Sequence, residues 1–445
     1  MDTRPVLAVA LAALFVTAGC QAPVTPQQSP EDVAATTPAD TDRPADSDSS
    51  TGSEAADASD STTATDTTTG TESTTSSDAT DSGDATESTE YLSVNDELAF
   101  EVAPIYERVG RMLDVPESDW PFTTVRVEDP PESGTTTRAS TSGFTEYVGI
   151  VPLPASGDGG GVQTGAYARG TSVTLFDHEN ASETFQRHVL AHEFVHVFQF
   201  EAGFDGLQPE ADVDDLDLRR ARPFLKTAMT EGSAEYVQER YRFRYQNASL
   251  NQTRLGDDWK AAPAYVRHRI APYEYGSRYF AMRVGNTSGV TDVYDDPPRT
   301  AEQVIHGYDP DEERALPLTV DATDGETGFE STGAVTKGEL FVRLALSSEL
   351  DWERAADASR GWGMDRLQYF AGGSGTDGYA WTLRWDDASE AAQFTESFRT
   401  YDSRNDAAFR VETVTDETVV VFAGPETFVE GASATGNSSA VTIHA

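Results

Sequence analysis

His192 and His196 stand four residues apart in the run Arg187-His188-Val189-Leu190-Ala191-His192-Glu193-Phe194-Val195-His196-Val197-Phe198-Gln199, a His-Glu-x-x-His pattern with helical character. Residues at i and i+4 of a helix share one face, so the two imidazoles can offer nitrogens to a single tetrahedral metal ion. Glu193 then lies beside that ion, where a carboxylate can take a proton from water. Such a site needs a third protein ligand and leaves its fourth position open for chemistry. Glu231, in Thr230-Glu231-Gly232-Ser233-Ala234-Glu235-Tyr236, can supply it. Glu235 follows one turn later on the same face and can accept the free N–H of a ligating histidine. His188 is expected outside the ligand set, because a fourth protein ligand would close the site.

Two helices must carry these groups. The first is predicted to open after Asn180 or Ser182 and to close before Gly203, a common helix stop. Phe185, Val189, Leu190, Phe194, Val195, Val197 and Phe198 surround it with apolar groups, which predicts a core helix. Two histidines and a glutamate buried there without compensation are costly, and a metal removes that cost. The second helix is predicted from Pro223 to about Tyr245, with Gly232 and Ala234 small enough to let it approach the first. A third helical run covers Tyr265 to Arg283.

His192-Glu193-x-x-His196 followed by Glu231-Gly232-x-Ala234-x-Tyr236 resembles the gluzincin zinc metallopeptidases, and the second motif is similar to the Glu-Gly-x-Ala-x-Tyr of the M1 aminopeptidase group. Pro272-Tyr273-Glu274-Tyr275-Gly276 resembles the Pro-Tyr-Glu-Lys-Gly segment of that group, with Tyr275 in place of lysine. The resemblance spans roughly residues 95–290. It implies Zn2+ as cofactor, His192, His196 and Glu231 as ligands, Glu193 as the proton shuttle, and Tyr273 as the phenol that steadies an oxyanion. No Gly-x-Met-Glu-Asn segment precedes His192, which argues against an M1-type exopeptidase.

The 445 residues hold 76 acids against 32 bases, a net charge of −44. Residues 21–92 contribute 16 acids and one base, Arg43, and the first 20 residues cancel, so −29 remains on residues 93–445. A folded surface this acidic repels itself in ordinary buffer. Molar salt screens that repulsion over roughly 3 Å. With lysine only at Lys226, Lys260 and Lys337, the composition points to a halophilic protein. No basic stripe exists to neutralise phosphates, so nucleic acid is excluded as an expected partner.

Residues 1–20 read as an export leader: Arg4, an apolar run from Val6 to Val16 too short to span a membrane, then Thr17-Ala18-Gly19-Cys20, which resembles a lipoprotein signal box. Cys20 is the only cysteine, so disulfides are excluded and lipidation there is expected. Residues 21–92 have almost no large apolar side chains and are expected to form a disordered Ser/Thr-rich tether, spanning roughly 50 Å as a coil. The expected fold class is α+β, with a metallopeptidase-like domain over residues 93–291 and, beyond an Asp- and Pro-rich stretch, an α+β accessory domain over residues 292–445. Ala99 to Leu113 reads as a helix kinked at Pro104, and Thr123 to Glu128, Phe144 to Val151 and Ser172 to Phe176 as strands whose sheet edge can pair with an extended peptide. In the second region, helices are expected at Gly338 to Leu346, Trp352 to Ala358 and Ala388 to Tyr401. Strands are expected at Leu367 to Phe370, Gly378 to Trp385, Phe409 to Val414 and Thr418 to Phe422, with the aromatic residues in a core and His306 outside the metal site. Asn180, Asn247, Asn251, Asn286 and Asn437 open N-glycosylation sequons.

The expectation that follows is a zinc-dependent peptidase held on the outer face of the cytoplasmic membrane by a lipid on Cys20, with a peptide or protein substrate. Two alternatives remain open: a surface protein that keeps zinc for folding without turnover, and a solute- or glycan-binding lipoprotein with a fortuitous motif.

Overall fold

A computed structural model of the chain describes residues 87–130, 143–151, 165–178, 181–204, 222–249, 258–323, 325, 327–373 and 375–445. Cys20, the expected leader and nearly all of the expected tether lie outside them, as do Asn180 and Asn251. The architecture is mixed α+β, and all described residues belong to one compact unit. Among them, no helix is long and apolar enough to cross a membrane.

A five-stranded sheet comes first: β1 (Glu87–Ser88), β2 (Leu92–Val94), β3 (Thr123–Glu128), β4 (Ala166–Arg169) and β5 (Ser172–Phe176), in the order β1-β2-β3-β5-β4. β3 runs parallel to β2 and β5, while β4 returns antiparallel to β5 and forms an edge. Helix α1 (Ala103–Met112) crosses between β2 and β3. It carries no internal proline: Pro104 occupies the first turn, where a missing N–H costs nothing, so the expected kink is absent. Phe144 to Val151 is not a strand either. Gly143–Tyr147 forms a short helix, α2, because Phe144 and Val148, one helical turn apart, both bury completely.

Three long helices follow. α3 (Glu183–Glu201) starts at Ser182, whose hydroxyl accepts from the Phe185 N–H at 3.2 Å, and stops before Gly203 in the left-handed region at φ 68°. Tyr106 of α1 meets Phe194 edge-on at 5.0 Å and stacks on Phe198 at 5.1 Å, which fixes the face that α3 turns inward. α4 (Arg222–Tyr245) and α5 (Ala264–Arg283) cross at two glycines: a Cβ on Gly232 would come within 2.5 Å of the Gly276 backbone. The small residue expected to bring α4 against α3 therefore serves the α4–α5 contact instead.

Past α5 come α6 (Val290–Asp295), α7 (Ala301–His306), β6 (Thr319–Thr323) and β7 (Phe329–Val335), then α8 (Glu339–Leu346) and α9 (Trp352–Ser359). Two long strands, β8 (Trp362–Gly372) and β9 (Asp377–Trp385), lead to α10 (Ala388–Asp402), β10 (Phe409–Thr413), β11 (Thr418–Ala423), α11 (Glu426–Gly431), β12 (Ser433–Gly436) and β13 (Ala440–His444). The strands form an antiparallel sheet β10-β11-β9-β8-β7 and a small sheet β12-β13-β6. Alternation decides the packing. Val419 and Val421 face the main core, whereas Val420 and Phe422 face a second cluster with Phe428 and Ile443. Trp362, Trp381 and Trp385 are buried, as expected for core aromatics.

The main core passes straight through residue 292, where the sequence suggests a boundary. Phe144 packs on Phe341 and Trp381, Trp259 meets Trp352 at 4.9 Å, and the Arg343 guanidinium donates to the Tyr275 hydroxyl at 3.0 Å. Tyr275, Tyr279 and Phe280 thus act in packing.

Candidate metal centre

α3 and α4 bring His192, His196 and Glu231 together. Their candidate ligand atoms all lie within 4.8 Å of one another. His192 Nε2 is 3.3 Å from Glu231 Oε2, and His196 Nε2 is 3.5 Å from the same oxygen. Tetrahedral bonds of about 2.0–2.1 Å to imidazole nitrogen and carboxylate oxygen leave ligand atoms about 3.3–3.4 Å apart, close to the two edges that meet at Glu231 Oε2. His196 Nε2 is buried without a hydrogen-bond partner of its own, as suits a nitrogen that ligates a cation. His192 and Glu231 are almost wholly enclosed, while the His196 side chain keeps 10% of its surface exposed.

Glu231 lies against both imidazoles, and its charge acts on His196. Burial opposes charge on His196, but Glu231 outweighs it and carries the imidazole up to about 9. Burial also pushes the Glu231 carboxyl upward, and His196 and His192 reverse this, bringing it down to about 2. A doubly charged ion can take the place of that proton.

Glu193 is fully buried next to His192, and its charge acts on His196. Glu235 Oε2 sits 3.9 Å from His192 Nδ1, beyond direct hydrogen-bond reach. Tyr273 is half-buried on α5, one turn before Gly276, where α5 meets α4 beside Glu231. His188 lies apart from the cluster, half-buried and edge-on to Phe185 at 5.1 Å. Asn247, Asn286 and Asn437 are exposed. The Oδ1 of Asn286 and of Asn437 accepts bonds from its own turn, which leaves Nδ2 as the outward group.

Gln199 is the residue the sequence reading does not single out. Its Oε1 lies 2.7 Å from His196 Nδ1, and its Nε2 donates to the Thr230 carbonyl at 3.0 Å. A backbone carbonyl can only accept, so the amide must present its NH2 to Thr230 and its oxygen to His196. Nδ1 then keeps its proton for Gln199, so Nε2 is the nitrogen that gives up its proton when a cation binds. Ser233 Oγ at 2.7 Å and the Tyr294 hydroxyl at 3.0 Å complete the shell around Nε2 of Gln199. A glutamine three residues after His196 in an otherwise apolar stretch was the available signal.

Residues 327–443 match the model of a family described as a domain of unknown function, DUF8575. The match covers the antiparallel sheet and leaves His192, His196 and Glu231 outside. No curated protein and no solved structure matches the chain.

Proposed function

We propose that this chain is a zinc-dependent peptidase of gluzincin type, exported and tethered by a lipid on Cys20 to the outer face of the membrane. The observation that carries the reading is the convergence of His192, His196 and Glu231 on one small volume, with their ligand atoms within 4.8 Å of one another. Zinc held there would acidify a water molecule and polarise a peptide carbonyl. Glu193, buried beside His192, takes the proton from the attacking water and returns it to the leaving amine. Tyr273 supplies a neutral donor toward the oxyanion from the adjoining helix. Among the described residues, strand β4 is the sheet edge next to α3, and an extended substrate backbone can add to it as a further strand. The acidic surface suits activity in molar salt, and the sequons at Asn247, Asn286 and Asn437 are accessible to glycosylation.

A peptide-library digest in molar KCl tests the reading. Cleavage should occur, stop with chelator, and be absent from the Glu193→Gln variant while that variant keeps its zinc. Wild-type protein that retains zinc but cuts nothing would instead favour a surface protein in which the metal serves folding alone.

A further inference from the structure

We propose that Glu302, His306 and Glu339 form a second divalent-cation site, sharing no residue with the His192 cluster, for an ion that accepts one imidazole nitrogen together with carboxylate oxygens, namely Mn2+ or Zn2+. Glu302 and His306 are four residues apart on α7 and therefore share a face. A reciprocal cap sets the start of that helix: Thr300 Oγ accepts from the Gln303 N–H, and Gln303 Oε1 accepts from the Thr300 N–H. Glu339 arrives from the first turn of α8. Its approach is fixed by Asp365, whose carboxylate accepts from the backbone N–H groups of Lys337 at 3.0 Å and Gly338 at 2.7 Å.

The ligand atoms of the three residues lie within 4.8 Å of one another. His306 Nε2 is 3.0 Å from Glu339 Oε2, while Arg343 and Ser359 occupy Oε1 of the same carboxylate. A plain His306–Glu339 ion pair accounts for those two groups and leaves Glu302 unexplained. Glu302 is only 6% exposed, and among the described residues no hydrogen bond or ion pair holds its carboxylate. The charges that act on it most strongly are acidic: Glu339, Asp386, Glu313 and Glu390. A buried carboxylate set among other carboxylates, with the nearby arginine already committed to Glu339, is relieved by a proton or by a cation, and the His306 nitrogen in the same cluster offers a cation a further ligand.

Glu313 and Asp386, both exposed, also bring ligand atoms within 4.8 Å of Glu302 and form the mouth of the site. Gln303 holds that mouth in place by donating to the carbonyls of Pro310 at 3.0 Å and Glu312 at 2.6 Å. An imidazole among the ligands disfavours calcium, which takes oxygen, and a single nitrogen with several carboxylates suits manganese or zinc. An ion here ties α7 to α8, and so fastens the helical part of the molecule to the antiparallel sheet.

The test uses the full chain, stripped with chelator, dialysed against MnCl2 or ZnCl2 in molar KCl, and analysed for bound metal. Wild type should retain two equivalents, and the Glu231→Gln, Glu302→Gln and His306→Asn variants one each. Glu302→Gln keeps the side-chain volume and removes the charge, so it should fold. Metal should also raise the melting temperature of the Glu231→Gln variant, and that rise should vanish on adding Glu302→Gln. One equivalent in wild type, lost in Glu231→Gln and kept in Glu302→Gln, overturns this inference and leaves the peptidase reading standing. The opposite pattern, one equivalent lost only in Glu302→Gln, sustains the inference and overturns the peptidase reading. Wild type with no retained metal overturns both.

Discussion

Replacing Gln199 with leucine should weaken zinc binding without touching a ligand. The amide is locked by the Thr230 carbonyl, and through it His196 Nδ1 is held as the donor. Leucine has similar bulk but no acceptor, so the His196 ring can place its proton on Nε2, the atom that must be free to bind metal. Losing such a supporting contact weakens a metal site by about 10–100-fold, or about 1.4–2.7 kcal/mol. A separate cost falls on folding: the buried network of the Thr230 carbonyl, Ser233 and Tyr294 loses the amide that donates two bonds into it, which should lower stability by about 1–3 kcal/mol. Chelator competition in molar KCl reads the first effect, and thermal unfolding of metal-free protein reads the second. Gln199→Glu separates them, since its carboxylate restores the acceptor for Nδ1 but cannot donate to Thr230; zinc affinity should recover while the stability loss remains. Wild-type zinc affinity in Gln199→Leu would refute the tautomer argument.

Gly276→Ala should destabilise by at least about 1–3 kcal/mol, because its methyl group would drive into the Ala228 and Gly232 backbone. Gly285→Ala, with nothing within 4 Å of the added carbon, should be nearly neutral in the same melts. Asp365→Ala should cost more than about 3 kcal/mol, since the indole N–H groups of Trp362 and Trp381 and the two backbone N–H groups at Lys337 and Gly338 would all lose their acceptor; a loss below 1 kcal/mol would contradict this. Burial, with Lys337 and Arg269 nearby, holds His268 down at about 4, so the folded chain binds one proton fewer than the unfolded chain between about pH 4 and 6.5. That contribution is complete above pH 6.5 and disappears as the pH falls through 4, with a slope of at most about 1.4 kcal/mol per pH unit. Denaturant melts across this range should show a shallower acid limb for His268→Leu than for wild type.

The helices that carry the cluster were legible because their signals are local. Ser182 caps α3, Gly203 ends it, and the apolar run between them has no polar face to leave in solvent. The strands β9 and β11 and the helix α10 could likewise be read from alternation and from Asp387 at the cap. Short stretches failed where two periodicities fit one sequence. Phe144, Val148 and Ile150 satisfy a strand by alternation and a helix by turn spacing, and only packing against Phe341 and Tyr379 decides. The edge elements were invisible for a different reason. β6 pairs in parallel with β13 more than a hundred residues later, and Thr and Asp at β6 give no core pattern of their own. Convergence is harder still to read. Tyr294 reaches Gln199 from 95 residues away, and Glu339 reaches His306 from 33, so neither partner could be named from spacing.

The most direct test of the central claim is anomalous scattering at the zinc edge from crystals grown in high salt with zinc. The account predicts a peak about 2.0–2.2 Å from Nε2 of His192, Nε2 of His196 and a carboxylate oxygen of Glu231. Zinc-loaded crystals with no peak inside that triangle, and the His196–Glu231 ion pair intact in its place, would contradict it.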